Sequence, residues 1–91
     1  MTDITKAAGI MEAAMQYQNK MFPRIYPIRR ALRAAGYSDT EINELFDFLR
    51  VAGVVDFHTG DIASHSADEI RDSYRDENNF LFLTVTTKRM A

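Results

Sequence analysis

Apolar residues in the first half of the chain recur every three or four positions, which is the spacing of one face of a helix. The first such stretch predicts a helix over residues 3–21, and Asp3 is of a residue type that caps helix N-termini. Apolar positions lie on more than one side of this helix, and its alanines would allow another helix to approach closely. That helix could belong to this chain or to a second copy, and we interpret the stripe as packing within the core.

Two more helices are predicted on either side of a short turn. Pro27 suits the first turn of a helix that runs to about residue 35, and Gly36 suits the position just past its end. Ser38 and Glu41 match a capping box, which begins the third helix, and apolar residues then follow at helical spacing. So short a link between two helices predicts a helix-turn-helix corner.

Beyond Gly53, which is expected to end the third helix, the pattern becomes that of strands. Residues 54–57 and residues 80–87 are rich in β-branched and aromatic side chains. We predict that these two segments pair with each other in a small antiparallel sheet.

The segment between the two predicted strands contains further signals. Ile62 and Ala63 are interpreted as a short return strand. Ser66 and Glu69 match a second capping box, which predicts a short inserted helix. The sequence therefore predicts a mainly α fold with a small antiparallel sheet (α+β), in one domain over residues 1–91.

This order of elements resembles the winged helix-turn-helix superfamily. The matching segments are residues 28–35 for the second helix, residues 36–38 for the turn and residues 38–52 for the third helix. Residues 49–55 look like the stretch where such domains leave the third helix for the wing, and residues 80–87 would be the returning wing strand. The resemblance implies a three-helix core with a β-hairpin wing, here carrying a short inserted helix. It also implies that the third helix faces the partner, as it faces the major groove of DNA in many such domains.

Composition narrows the possible classes of protein. The absence of cysteine excludes disulfides, thiolate metal sites and thiol catalysis. The sequence contains neither a secretory signal pattern nor the ~20 consecutive apolar residues that a membrane span needs. We therefore expect a cytoplasmic location and no membrane association. A hydrophobic content of 46% argues against a disordered chain.

The net charge of −2 is unevenly distributed along the chain. Residues 1–37 carry six basic and two acidic side chains, whereas residues 38–77 carry three basic and eleven acidic ones. Such a distribution often indicates a charged partner surface, although solvation of exposed faces is the plainer interpretation.

The third helix carries the predicted partner-binding face. Its outward side chains are mostly acidic, whereas affinity for DNA depends on Lys and Arg. We therefore interpret the domain as a non-enzymatic module that binds another protein, as an adaptor, inhibitor or regulator, with a homodimer as one form of that contact. Phe48 either anchors the partner or packs beneath the last strand. The predicted face comprises Asp39, Asn43, Glu44, Asp47, Phe48, Arg50 and Val51.

A small DNA-binding transcription regulator is the alternative. In that case basic side chains would contact phosphates, and Asn43 or Arg50 would contact bases. Arg29 and Arg33 lie one turn apart, with Arg30 beside them, and would form a basic patch. The plainer interpretation is that Arg33 or Arg30 pairs with Asp39, Glu41 or Asp47 of the next helix. The predicted nucleic-acid-binding set comprises Arg24, Arg29, Arg30, Arg33, Lys88 and Arg89.

A metal-dependent hydrolase is the third alternative. His58, Asp61 and His65 are close in sequence and are of residue types that bind zinc. Their spacing matches no standard metal motif, so solvated loop residues are the plainer interpretation. The four glycines are scattered, and no glycine-rich phosphate loop is present in the sequence. We expect no catalytic residue, no cofactor and no metal ligand.

Overall fold

The computed structural model describes residues 3–88, which form four helices and four short strands. The predicted mainly α fold with a small antiparallel sheet is confirmed. The helices are α1 (Ile4–Gln18), α2 (Ile25–Ala34), α3 (Asp39–Val51) and α4 (Ala67–Arg71), and the strands are β1 (Val55–His58), β2 (Tyr74–Arg75), β3 (Leu81–Phe82) and β4 (Thr84–Thr87).

Helix α1 begins where the sequence predicts and ends three residues earlier. The Asp3 side chain accepts a hydrogen bond from the Lys6 N–H at 3.1 Å, which confirms Asp3 as the N-cap. At the other end Asn19 adopts the left-handed conformation, with φ of 49°. The Gln18 side chain then makes two hydrogen bonds to the backbone of Arg24, which fix the path of the loop between α1 and α2.

The corner between α2 and α3 forms from the predicted local signals. Gly36 takes a φ of +99° just past α2. Its N–H donates to the Arg33 oxygen, and the Tyr37 N–H donates to the Leu32 oxygen, so α2 ends in a Schellman motif. Helix α3 then begins at the predicted capping box, because Ser38 accepts from the Glu41 N–H at 3.1 Å and the Glu41 carboxylate accepts from the Ser38 N–H at 3.0 Å.

The main sheet pairs β1 with β4, as predicted. The strands are antiparallel, with Val55 opposite Thr87 and His58 opposite Thr84. The other edge of β4 lies against the loop before α2, where the Val85 N–H donates to the Pro23 oxygen at 2.9 Å. Strand β4 is therefore held on both edges.

Two strand predictions are wrong in detail. Residues 80–87 are not one strand, because β3 pairs with β2 and only β4 pairs with β1. Between them Leu83 donates its N–H to the His58 oxygen and accepts from the Ile25 N–H, each at 2.9 Å. The second error concerns Ile62–Ser64, a 3-10 turn rather than a return strand. The Asp61 side chain accepts from the Ala63 N–H at 3.1 Å and caps this turn locally.

The second capping box is confirmed, and it begins the short helix α4. The Ser66 hydroxyl accepts from the Glu69 N–H at 3.2 Å. After α4 the chain enters β2, and the β2–β3 hairpin brings Tyr74 and Phe82 against Phe46 and Phe57. The ring centroids of Phe57 and Tyr74 are 4.4 Å apart. One hydrophobic core thus joins α1, α2, α3 and the strands.

The elements also follow the chain order on which the winged-helix resemblance rests, and that resemblance stays a prediction. None of the helices described over residues 3–88 is long and apolar enough to cross a membrane.

Candidate protein-binding face

The outward side chains of α3 form two stripes with different surroundings. Asp39, Asn43, Asp47 and Arg50 follow one another at spacings of three and four residues. Each of these four makes a hydrogen bond to another part of the chain. We call these four residues the paired stripe, because their side chains have hydrogen-bond partners within the protein.

Arg29 of α2 lies at the centre of the first half of the paired stripe. It is only 4% exposed, and its Nη2 donates to Asn43 Oδ1 and to the Ser73 oxygen, each at 2.9 Å. Burial lowers the pKa of the Arg29 guanidinium, while the Asp39 carboxylate 3.6 Å away favours its charge. Arg29 is therefore a structural residue of the interior.

Arg33 lies one turn along α2 and bridges two carboxylates. Its guanidinium contacts Asp39 and Asp72, each at 2.8 Å at the closest approach. Hydrogen bonds from Arg33 hold the pKa of the Asp72 carboxyl below its usual range. This confirms the pairing of Arg33 with Asp39 that the sequence offered as an alternative to phosphate binding.

The second half of the paired stripe closes over Tyr74. The buried Tyr74 hydroxyl donates to the Asp47 carboxylate and accepts from Arg50 Nε at 3.1 Å. Burial and the hydrogen bond to Asp47 raise the pKa of Tyr74 to about 12. Arg50 also pairs with Glu77 at 2.8 Å. Asp47 and Arg50 thus hold the buried Tyr74 in place, in addition to belonging to the predicted partner-binding face of α3.

The other stripe of α3 is open to solvent. Phe48 is 51% exposed and Val51 is 80% exposed, one turn apart on the same side. Phe48 therefore does not pack beneath the last strand. Glu44 lies one turn before Phe48, and its carboxylate makes no hydrogen bond or ion pair within residues 3–88. We call Glu44, Phe48 and Val51 the α3 ridge.

The predicted basic patch is not an exposed cluster, and this corrects the interpretation of α2. Arg29 is buried, and Arg33 is occupied by two carboxylates. Arg24 pairs with Glu69 at 3.1 Å. Of the predicted nucleic-acid-binding set, Arg30 and Lys88 are exposed, and Arg89 lies outside the described residues.

The three candidate zinc ligands do not converge. His58 Nε2 contacts Thr86 Oγ1 at 2.8 Å, Asp61 caps the 3-10 turn, and His65 Nδ1 contacts Glu69 at 3.1 Å. Across residues 3–88 no group of three or more His, Cys, Asp or Glu side chains is placed to hold a metal ion.

The structure also shows an exposed apolar surface that the sequence interpretation missed. A groove of about 570 Å³ lies between α1 and α2, with Tyr17 beside it at 92% exposure. The sequence feature that indicates this groove is the set of apolar positions on more than one side of α1, which the sequence interpretation assigned to core packing. Only Ala7 and Met11 of α1 are fully buried.

Comparison with known proteins gives no relative: no family model, curated protein or solved structure matches this chain. Function is therefore inferred from the surfaces described above.

Proposed function

We propose that this protein is a binding module that docks another protein on the α3 ridge. The observation that carries the proposal is an aromatic and a β-branched side chain exposed on one helix face, next to a carboxylate without a counter-ion among the described residues. Aromatic anchors surrounded by polar groups are typical of the centres of protein interfaces. The fitting partner surface has an apolar pocket for Phe48 and a basic side chain that reaches Glu44.

The paired stripe supports this assignment. Because Arg29, Arg33 and Tyr74 hold it in place, α3 is fixed on the body of the protein at several points along its length. A rigid helix loses little conformational entropy when it binds, which favours affinity. Burying Phe48 and Val51 would remove apolar surface from water at about 25 cal/mol per Å².

A photo-cross-linking experiment tests the proposal. A benzophenone amino acid is placed at position 48 in cells that produce the protein, and the same amino acid at position 80 is the control. Phe80 is also exposed, but it lies in the β2–β3 hairpin. We expect a discrete cross-linked product from position 48 only. Adding Glu44→Arg should reduce its yield about tenfold, the effect of ~1.4 kcal/mol.

A matched charge reversal elsewhere checks that the loss is local. Asp56→Arg changes an exposed acid of β1 and should leave the product from position 48 intact. If position 48 gives no product, or the same products as position 80, the α3 ridge is not a binding surface.

A further inference from the structure

The groove between α1 and α2 has a simple chemical character. Ile10, Ala13 and Tyr17 line it from α1, and Tyr26 and Arg30 line it from α2. Small and aromatic side chains make a shallow apolar surface, and Arg30 is the one charged side chain among those lining it. Such a groove fits an amphipathic helix that carries a carboxylate at the edge of its apolar face.

Arg30 has no acidic partner within residues 3–88. Its guanidinium lies over the ring of Tyr26, 5.6 Å from the centroid. Arg24, Arg33 and Arg50, by contrast, each pair with a carboxylate. Arg30 is therefore an oriented cation that can receive a carboxylate from outside the chain.

The α3 ridge is the chemical complement of this groove. On α3, Glu44 precedes Phe48 by one helical turn; on α2, Tyr26 precedes Arg30 by one helical turn. Residues four apart on a helix are about 5–6 Å apart at Cβ, so the spacing from charge to ring is similar on both surfaces. A helix lying antiparallel on α2 would place Glu44 at Arg30 and Phe48 near Tyr26.

We infer that the α3 ridge of one copy of this chain docks in the α1–α2 groove of a second copy. In this contact Glu44 pairs with Arg30, Phe48 packs between Tyr17 and Tyr26, and Val51 extends the apolar contact. The inference rests on the proposed function, because it names a second copy as a protein that the ridge binds. Ridge and groove are different surfaces, so a two-fold dimer would contain this contact twice.

Charge complementarity favours a second copy as the occupant. Most basic side chains of α2 are already paired within the chain, but Arg30 in the groove has no acidic partner and Glu44 on the ridge has no basic partner within residues 3–88. Two copies that approach ridge to groove therefore attract each other, and the attraction weakens as salt screens it.

A charge-exchange experiment tests the contact directly. The molar mass of the wild-type protein, Glu44→Arg and Arg30→Glu is followed by sedimentation against concentration at low salt. We expect the wild-type mass to rise above the 10.4 kDa of one chain. Each single variant brings two like charges together and should associate about tenfold more weakly, the effect of ~1.4 kcal/mol.

The mixture of the two variants is the decisive sample. Glu44→Arg places a cation at position 44 of one copy, and Arg30→Glu places an anion at position 30 of the other, so this contact is attractive with its charges exchanged. The second contact of the same pair joins the unchanged Glu44 of the Arg30→Glu copy to the unchanged Arg30 of the Glu44→Arg copy, as in the wild type. An equimolar mixture should therefore regain wild-type association, whereas Asp56→Arg mixed with Arg30→Glu should remain weaker than the wild type. Circular dichroism confirms that each variant is folded.

Two results would overturn the inference: a wild-type chain that stays at the mass of one copy at every concentration, or a mixture that fails to regain association. Neither result bears on the cross-link from position 48. A product there whose mass exceeds one chain by something other than a second copy would keep the proposed function while removing the second copy as partner.

Discussion

The guanidinium of Arg29 donates from Nε to the backbone oxygen of Asp72 at 2.9 Å. This bond joins α2 to the residue that ends α4, and the same side chain also reaches Ser73 and Asn43. The Arg29 guanidinium lies 5.4 Å from the centroid of the Phe46 ring. One buried side chain thus connects α2 to α3 and to the end of α4, which is more than forty residues later in the sequence.

Replacing the Arg29 side chain should lower the stability of the folded protein substantially. Arg29→Ala would leave the backbone oxygens of Asp72 and Ser73 without this donor, and each buried unsatisfied group costs ~1–3 kcal/mol. We expect the free energy of unfolding in urea to fall by about 3 kcal/mol. Arg29→Lys should recover only part of this, because an ammonium cannot reproduce the planar set of donors.

Arg30→Ala is the matched control on the same helix. Arg30 is exposed and makes no hydrogen bond within the described part of the chain, so the change should be within ~0.5 kcal/mol in dilute solution. Equal losses for Arg29→Ala and Arg30→Ala would contradict the structural role of Arg29.

Tyr74 should make stability depend on pH in the alkaline range. Its pKa in the folded chain, about 12, lies above the ordinary value of 10.0. The folded state therefore keeps the proton at pH values where the unfolded state releases it. The contribution of Tyr74 to the free energy of unfolding is fully present below pH 10.0 and is lost as the pH rises from 10.0 to about 12.

Urea unfolding of the wild type and Tyr74→Phe over this pH range measures the effect. The wild type should lose more of its free energy of unfolding than the variant as the pH rises. In a spectroscopic pH titration, the variant should lack the rise in tyrosinate absorbance that occurs at the highest pH in the wild type. Tyr17→Phe, at a ring that is 92% exposed, should retain that rise. Identical pH profiles for the wild type and Tyr74→Phe would argue against a buried Tyr74 hydroxyl.

The same substitution should have opposite effects at two glycines. Gly9 lies within α1, and a Cβ built there meets nothing within 4 Å, so Gly9→Ala should raise the free energy of unfolding by ~0.5–1 kcal/mol. A Cβ at Gly36 also has space, but its φ of +99° strains any other residue. Gly36→Ala should therefore lower the free energy of unfolding by ~1–2 kcal/mol. Thermal melts of both variants test the pair, and a gain at Gly36 would contradict its assigned conformation.

The sequence predicted the features that depend on neighbouring residues. The capping boxes at Ser38 and Ser66 and the left-handed Gly36 are local, because their hydrogen bonds join residues only a few positions apart. The pairing of β1 with β4 was predicted from β-propensity. The exposure of Phe48 was left open, since helical spacing shows where a side chain points but not what covers it.

The features that were missed depend on distant residues. Arg29 is buried because residues 72 and 73, more than forty positions later, supply its acceptors. Leu83 divides the predicted long strand because its backbone bonds to His58 and Ile25 instead of continuing one ladder. The second apolar side of α1 could not be assigned to a groove before the packing of α2 was known. Periodicity and propensity carry no information about such long-range partners.

Strand β4 has a consequence for the order in which the protein acquires its structure. The strand pairs with β1 on one edge and with the backbone around Arg24 on the other. The backbone hydrogen bonds of both neighbours therefore cannot form until residues 84–87 are present. During synthesis from the amino end, α1, α2 and α3 can form while these residues are still unmade or inside the ribosome. The final closure of the core therefore requires residues 84–87 to have left the ribosome. A chain stalled before residue 84 would expose the apolar interior of its helices to chaperones and proteases.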